Sequence, residues 1–304
     1  MMNSHPRVCV IGSINMDLVT TTKNIPKKGE TVVGERFETF PGGKGANQAV
    51  TSARLGADVS MIGAVGNDTF GKALLEHFKS EGISQKGISI VPDISTGVAA
   101  ITVSENDNRI IVSPGANSKV NPKILDEAQD VIIASDIILL QLEIPMETVQ
   151  YTVEFAYKHK IPVILNPAPF QFIPEDILEK VTYLTPNEVE SVSLSEMPLT
   201  ESIKEKMIIT KGEHGVEFIS KSGEPKTIPG FKVNVKDTTG AGDTFNGALA
   251  TELARTGDLD QSILFANAAA ALSVERFGAQ GGIPDRKEII TFIEKAKTRR
   301  NEYE

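Results

Sequence analysis

The chain has 304 residues, 40% hydrophobic and 23% charged, an ordinary globular composition long enough for one large α/β domain. Asp plus Glu total 40 against 31 Lys plus Arg, a formal net charge of −9 with no strong basic run, which argues against a nucleic-acid partner. One cysteine, Cys9, excludes an internal disulfide, and no signal-peptide core or run of roughly 18 apolar residues is present, so a soluble cytoplasmic protein with no membrane partner is expected.

The first predicted strand, Arg7–Ile14, places Cys9 in an apolar run and so reads it as a buried structural thiol. Residues 21–43 then alternate apolar and polar around turn formers. A helix over Ala46–Leu55, a strand over Val59–Val65 and a helix over Thr69–Glu81 follow. Residues 95–117 read as a hairpin turning at Glu105–Asn108. Two such β-rich segments could form one small sheet projecting from the main body.

Further along, helices are predicted over Pro122–Ala134, Pro145–Lys158 and Glu188–Ser193. They alternate with strands over Asp136–Leu142, Ile161–Asn166, Val181–Leu184 and Lys206–Thr210. This alternation argues for a mostly parallel sheet covered on both faces. The remainder reads as helical over Ala241–Arg255, Asp260–Glu275 and Asp285–Lys297.

Several familiar motifs fail on inspection. "GNDTFGKA", Gly66–Ala73, approaches the P-loop pattern, but Ala73 replaces the hydroxyl that would hold Mg²⁺. Asp68 there reads as a helix cap. The first strand is followed by Gly12 alone and not by a dinucleotide-binding glycine set. His5, His77, His159 and His214 lack metal-ligand spacing, and no G-x-S-x-G marks a hydrolase.

"DTTGAGDTFNGA", residues 237–248, is different. Gly240, Ala241 and Gly242 are small enough for an anion to approach the backbone at a helix start. Phe245, Leu249 and Leu253 give that helix a core-facing stripe. Asp243 sits at or just inside the N-terminus, either as a cap or as a base beside a bound anion. The positive helix end is expected to keep its carboxylate ionised. A glycine cradle and one oriented carboxylate suit transfer of a phosphoryl group to an alcohol without a P-loop.

"GSINMD" (12–17), "GGKGANQA" (42–49), "QLEIP" (141–145), "LNPAP" (165–169), "TPNEVE" (185–190), "TKGEHG" (210–215), "DTTGAGDTFNGAL" (237–249) and "GAQ" (278–280) occur in this order. In that ordered set the chain resembles the ribokinase (PfkB-type) carbohydrate kinase family over nearly its whole length. The resemblance implies one α/β domain over 1–304 with a ribokinase-like three-layer α/β/α fold. Its central sheet would be mostly parallel, with a β-sheet lid formed by about 18–42 and 95–115 that pairs two copies into a homodimer.

The activity implied is ATP-dependent phosphorylation of D-ribose at O5. Asp243 would be the general base, and the Gly240, Ala241 and Gly242 backbone the anion hole. Asn15, Asp17, Gly42, Gly43, Asn47 and Glu143 would hold the sugar; Lys44 could meet a phosphate or be a solvated loop lysine. Asn187, Thr210, Gly212, Gly215, Gly242 and Asn267 would line the nucleotide channel. Glu190 would reach Mg²⁺ through water, although Asn187 and Glu190 alone read as helix-start residues after Pro186.

A K⁺ site would use Asp237, Thr239, Ser273, Arg276, Gly278 and Gly282, mostly through carbonyls. Many members carry Pro-Ser where this chain has Gly281-Gly282, so a serine hydroxyl is not offered there. The alternatives are a kinase of deoxyribose, fructose or a nucleoside, and a non-catalytic sugar or nucleotide sensor.

Overall fold

The computed structural model describes residues 5–104, 107–220 and 222–301. In chain order it opens with β1 (Arg7–Ile11), β2 (Asn15–Thr21), β3 (Arg36–Gly42), α1 (Lys44–Arg54), β4 (Asp58–Gly66), α2 (Thr69–Ser80) and β5 (Ser84–Val91). Next come β6 (Gly97–Ser104), β7 (Asp107–Ser113), α3 (Pro122–Glu127), α4 (Gln129–Ile133), β8 (Ile137–Leu140), α5 (Met146–His159), β9 (Val163–Leu165) and α6 (Glu175–Lys180). The remainder is β10 (Tyr183–Leu184), α7 (Glu188–Ser195), α8 (Glu201–Lys204), β11 (Ile208–Thr210), β12 (Val216–Ile219), β13 (Pro225–Ile228), α9 (Ala241–Thr256), α10 (Leu259–Ser273) and α11 (Arg286–Asn301).

The central sheet runs β10-β9-β8-β1-β4-β5 with every pairing parallel. Apart from Arg7, Asp58 and Ser60, its inner strands are apolar, because both faces are covered. In β1, Val8 and Val10 pack into one core with side chains of α1, α2, α9 and α10, while Cys9 and Ile11 enter a second core with α3, α5 and α6. Burial pushes the Cys9 thiol up to about 12, as befits a structural cysteine. The carboxyl ends of β1, β8 and β9 lead directly into Gly12–Ser13, Gln141–Glu143 and Asn166, at the edge where open α/β sheets bind ligands.

The four-stranded lid has the order β3-β2-β6-β7. The predicted first strand stops at Ile11, and the chain turns and enters the lid at Asn15. Of the alternating segment 21–43, Thr21 ends β2 and Arg36–Gly42 forms β3, which pairs back on β2. The hairpin of β6 and β7 closes at the pair Ser104–Asp107; Glu105 and Asn106 of the expected turn lie outside the described residues. Gly66–Ala73 is no phosphate loop, for Asp68 caps α2 at Gly71 N–H and also receives the Thr96 N–H and hydroxyl at the root of β6.

Two further expectations change. The helix predicted over Pro122–Ala134 divides at Ala128, whose N–H closes a tighter turn onto Leu125 O. The strand predicted over Lys206–Thr210 does not extend the central sheet fully. The turn at 212–215 folds it into an antiparallel sheet β11-β12-β13, joined to the centre by bridges Leu184–Met207 and Asn187–Thr210. Among the described residues no helix is long and apolar enough to cross a membrane.

Candidate active site

Lys44 opens α1, and the carboxylate of Glu143 sits against that helix start. Glu143 Oε2 accepts from Lys44 N at 3.1 Å and from Ser13 Oγ at 2.5 Å. An anion at a helix N-terminus is favoured by the unpaired N–H groups and the dipole. The Lys44 ammonium does not behave as a solvated loop charge. Burial alone would lower its pKa, but Asp243, Glu143 and Glu190 together outweigh burial and leave it raised. It is the cation that three carboxylates face.

Asp17 lies on β2 directly across from Phe40 on β3 and beside Ala99 on β6. A Cβ at Gly42 would collide with both Asp17 carboxylate oxygens, so any larger residue there would displace the Asp17 side chain. Burial, and then the charges of Glu143 and Asp243, raise the Asp17 carboxyl to about 7. Asn15 is 3% exposed, and its Oδ1 accepts from Asn117 Nδ2 at 2.7 Å. Asn117 is itself fixed by Ile14, accepting its N–H at 2.9 Å and donating to its carbonyl at 3.1 Å.

Asp243 is not a helix cap. Gly240 occupies the cap position of α9 in the left-handed region (φ 76°), and no side chain caps the helix. Asp243 stands three residues further, 8% exposed, and turns toward α1. Its Oδ2 accepts from Asn47 Nδ2 at 2.9 Å and its Oδ1 from Gln48 Nε2 at 3.1 Å. Burial raises the Asp243 carboxyl above its ordinary value, opposed by Lys44, Asn47 and Gln48, with Glu143 adding to the rise. Desolvation thus exceeds the help of the helix end, and the surrounding donors limit the effect.

On the other side, Asn187 and Glu190 form a reciprocal capping box at the start of α7, so the helix-start reading of this pair is structurally correct. Glu190 is also buried and faces Lys44 and Asp243, and burial raises its carboxyl. Asn187 bridges to Thr210 at the end of β11. Asn267 donates to Pro229 O at 3.0 Å, and Gly215 packs under the same 228–230 segment. Thr210, Gly212, Gly215 and Asn267 are therefore gathered around one loop, beyond the end of β11.

The turn before α9 is tied to residues 273–282. Asp237 accepts from Thr239 N at 2.9 Å and from Gly278 N at 2.8 Å. A Cβ on Gly240 would lie 2.7 Å from Ala279 Cα. Arg276 commits its guanidinium to Glu288, and Ser273 Oγ donates to Ala270 O while the Ser273 carbonyl accepts from Arg276 N at 3.3 Å. Gly282 packs so closely on Ser273 O that a Cβ would clash, so this backbone disfavours any larger residue at 282. Among the described residues no group of three or more His, Cys, Asp or Glu is placed to hold a metal. A divalent ion here would depend on few protein oxygens, which suits Mg²⁺ held by water and phosphates.

Sequence reasoning assigned no role to Ser13, Gln48, Asn117, Asn166 or Gln280, all of which brace the site. Gln48 and Gln280 were within reach, since they stand inside "GGKGANQA" and "GAQ". A cavity of about 800 Å³ lined by Met197, Leu199, Phe218 and Thr227 shares no residue with this cluster. The chemistry lies with the buried charges.

The model of the pfkB family carbohydrate kinases matches residues 5–286. The ribokinase of Bacillus subtilis strain 168 is 46% identical over 286 residues, covering 93% of this chain and 97% of that protein. A deoxyribokinase of Salmonella typhi is 36% identical, with 94% of this chain and 98% of that protein covered. The structure of Arabidopsis thaliana ribokinase complexed with ribose and ATP superimposes with a TM-score of 0.87 at 31% identity, covering 95% of this chain and 99% of that one. The chain belongs to the pfkB carbohydrate kinase family.

Proposed function

We propose that the chain transfers the γ-phosphoryl group of ATP to O5 of D-ribose, with Asp243 as general base. The observation that carries this reading is the orientation of Asp243: it forgoes capping and is held by two amides beside a helix start that no side chain caps. The likeness to ribokinases supports ribose as acceptor. As O5 attacks, its proton passes to Asp243, the O5–Pγ bond forms, and the bond from Pγ to the bridging oxygen breaks with its electron pair leaving on ADP. The N–H groups of Gly240–Gly242 meet the charge on the moving phosphoryl group, and Lys44 adds a cation at the same place.

Asn15, Asp17, Gly42, Gly43, Asn47 and Glu143 hold the sugar in this reading. Asn187, Thr210, Gly212, Gly215 and Asn267 line the nucleotide side. Glu190 would hold Mg²⁺ through water, and carbonyls of Asp237, Thr239, Ser273, Arg276, Gly278 and Gly282 would hold K⁺. When bound, these ions neutralise phosphate charge and strengthen the field at the anion turn.

Exposed Phe37, Ile110 and Ile111 on the lid support pairing of two copies through that sheet; a monomer in sedimentation velocity at assay concentration refutes it. Growth-compartment fractionation would check the cytoplasmic assignment, which the single buried thiol supports.

The test is ADP release from Mg²⁺-ATP with ribose, deoxyribose, fructose and adenosine, in K⁺ and then in Na⁺. A ribose preference is expected, and a profile led by deoxyribose transfers the protein to that substrate. Asp243→Asn is expected to lower kcat on the order of 10²-fold or more while ribose and ATP still bind. Near-normal turnover would remove Asp243 as base.

A further inference from the structure

The two amides that hold Asp243 are ends of longer chains. Asn47 Oδ1 accepts from Gln280 Nε2 at 3.0 Å, and Gln280 Oε1 meets His77 Nε2 at 2.7 Å. On the other side, Gln48 Oε1 accepts from Gln141 Nε2 at 2.6 Å, and Gln141 Oε1 ends buried without a partner. Gln48, Gln141 and Gln280 are 0%, 0% and 7% exposed.

The direction of every bond follows from the centre. An ionised carboxylate only accepts, so Asn47 and Gln48 must both turn their NH₂ groups toward it. Their carbonyls then face outward, and Gln280 and Gln141 must donate to them. Gln280 is left presenting a carbonyl to His77, whose Nε2 must carry the proton. Reversing any one amide would set acceptor against acceptor along its chain. The unpartnered Gln141 carbonyl shows that this polarity is kept even where it leaves an oxygen unsatisfied inside the protein.

We propose that Gln48 and Gln280 are positioning residues for phosphoryl transfer: the chains Gln141–Gln48 and His77–Gln280–Asn47 lock Asp243 in one orientation as a proton acceptor. This rests on Asp243 being the base. Gln48 donates to Asp243 and Gln280 to Asn47, which itself donates to Asp243, so both reach the carboxylate through hydrogen bonds. The charged groups that face the carboxylate are Asp17 of β2, Lys44 of α1, Glu143 beyond β8 and Glu190 of α7, all unchanged by substitution at 280.

The experiment is Gln280→Glu in the full chain, with kcat and ribose KM followed against pH beside Asp243→Asn. The new carboxylate cannot donate to Asn47 and so opposes the polarity of its chain. The expected result is a kcat about tenfold lower at neutral pH, an acid limb of kcat moved up by about one pH unit, and a ribose KM changed less than about threefold. The sign follows because a base harder to ionise needs higher pH.

A folded Gln280→Glu protein with an unmoved acid limb overturns the proposal, whether kcat is normal or reduced. Should that variant fail to fold, His77 decides. His77→Leu removes the last donor and is expected to lower kcat about threefold, and His77→Gln, which keeps an N–H, to restore most of it; equal rates for the two overturn the proposal. An active Asp243→Asn removes the base reading and this inference with it. A dead Asp243→Asn beside an unaltered Gln280→Glu removes the inference alone.

Discussion

The half of the site that carries Asn15, Asp17, Asn47 and Glu143 is made of side chains held by other side chains. Asn15 and Asn47 are 3% and 7% exposed, and Asn15 Oδ1 is braced by Asn117, Asn47 Oδ1 by Gln280 and the Glu143 carboxylate by Ser13. The half beyond it, around Gly240, Asp237, Gly278 and the 210–215 turn, is made of backbone. There the side chains either point to solvent, as at Thr239, or serve the loop itself, as Asn267 does for Pro229. The difference suits two kinds of ligand. Hydroxyls at fixed positions are distinguished by buried polar groups that are left unpaired by the wrong partner. A phosphate chain presents the same oxygens whatever carries it, and backbone N–H groups at a helix start suffice.

The comparison breaks first at Gly240. If the anion turn is backbone-built, adding a methyl there should cost more than removing most side chains elsewhere. Gly240→Ala forces a left-handed residue to carry a Cβ (φ 76°) and drives it against Ala279. A loss in kcat on the order of 10²-fold is expected, with ribose binding retained by calorimetry. A loss of sugar binding instead would show that the two halves are not separable.

A smaller effect, and a pH signature, belongs to Asp17. Its carboxyl, raised to about 7 by burial and by Glu143 and Asp243, stands far above the ordinary 3.8. A group whose folded pKa is raised gives its stability in the protonated form, fully below 3.8, and loses it as pH climbs through about 7. Ionised Asp17 therefore costs the ligand-free fold about 4 kcal/mol near pH 8. Asp17→Asn should remove this fall, so that its melting temperature between pH 4 and 8 is flatter than that of the wild type. Its ribose KM should rise about tenfold, since one oxygen acceptor and the charge are lost. Parallel melting curves across that range would show that Asp17 is not buried with a charge penalty.

This contrast also explains what the sequence made legible. The parallel sheet was readable because strands alternate with helices and the runs "DIILLQL" and "IPVILN", which hold β8 and β9, are apolar on both faces, as doubly covered strands are. The lid was readable as alternating segments, but not its start, since nothing in "GSINMD" announces that the chain leaves the central sheet at Gly12. Asp243 was found because glycines precede it. The amides behind it were not, because Gln48 and Gln280 stand inside motifs the sequence shows but carry no mark of what they meet across the core. Gln280 and Asn47 are 233 residues apart in sequence and 3.0 Å apart in space.

The smallest expected effect tests the backbone half directly. Thr210 ends β11, its N–H donates to Pro186 O at 3.0 Å, and its hydroxyl lies at a long 3.5 Å from the same carbonyl. The backbone bond holds the strand end and the bridge to Asn187, whatever side chain stands there. Thr210→Ala should thus raise the KM for ATP by less than about threefold and leave the ribose KM alone, because it removes only a weak hydrogen bond. A rise of more than about thirtyfold would mean that a side chain reads the nucleotide here. The nucleotide half would then share the logic of the sugar half, and selectivity among nucleotides would follow from it.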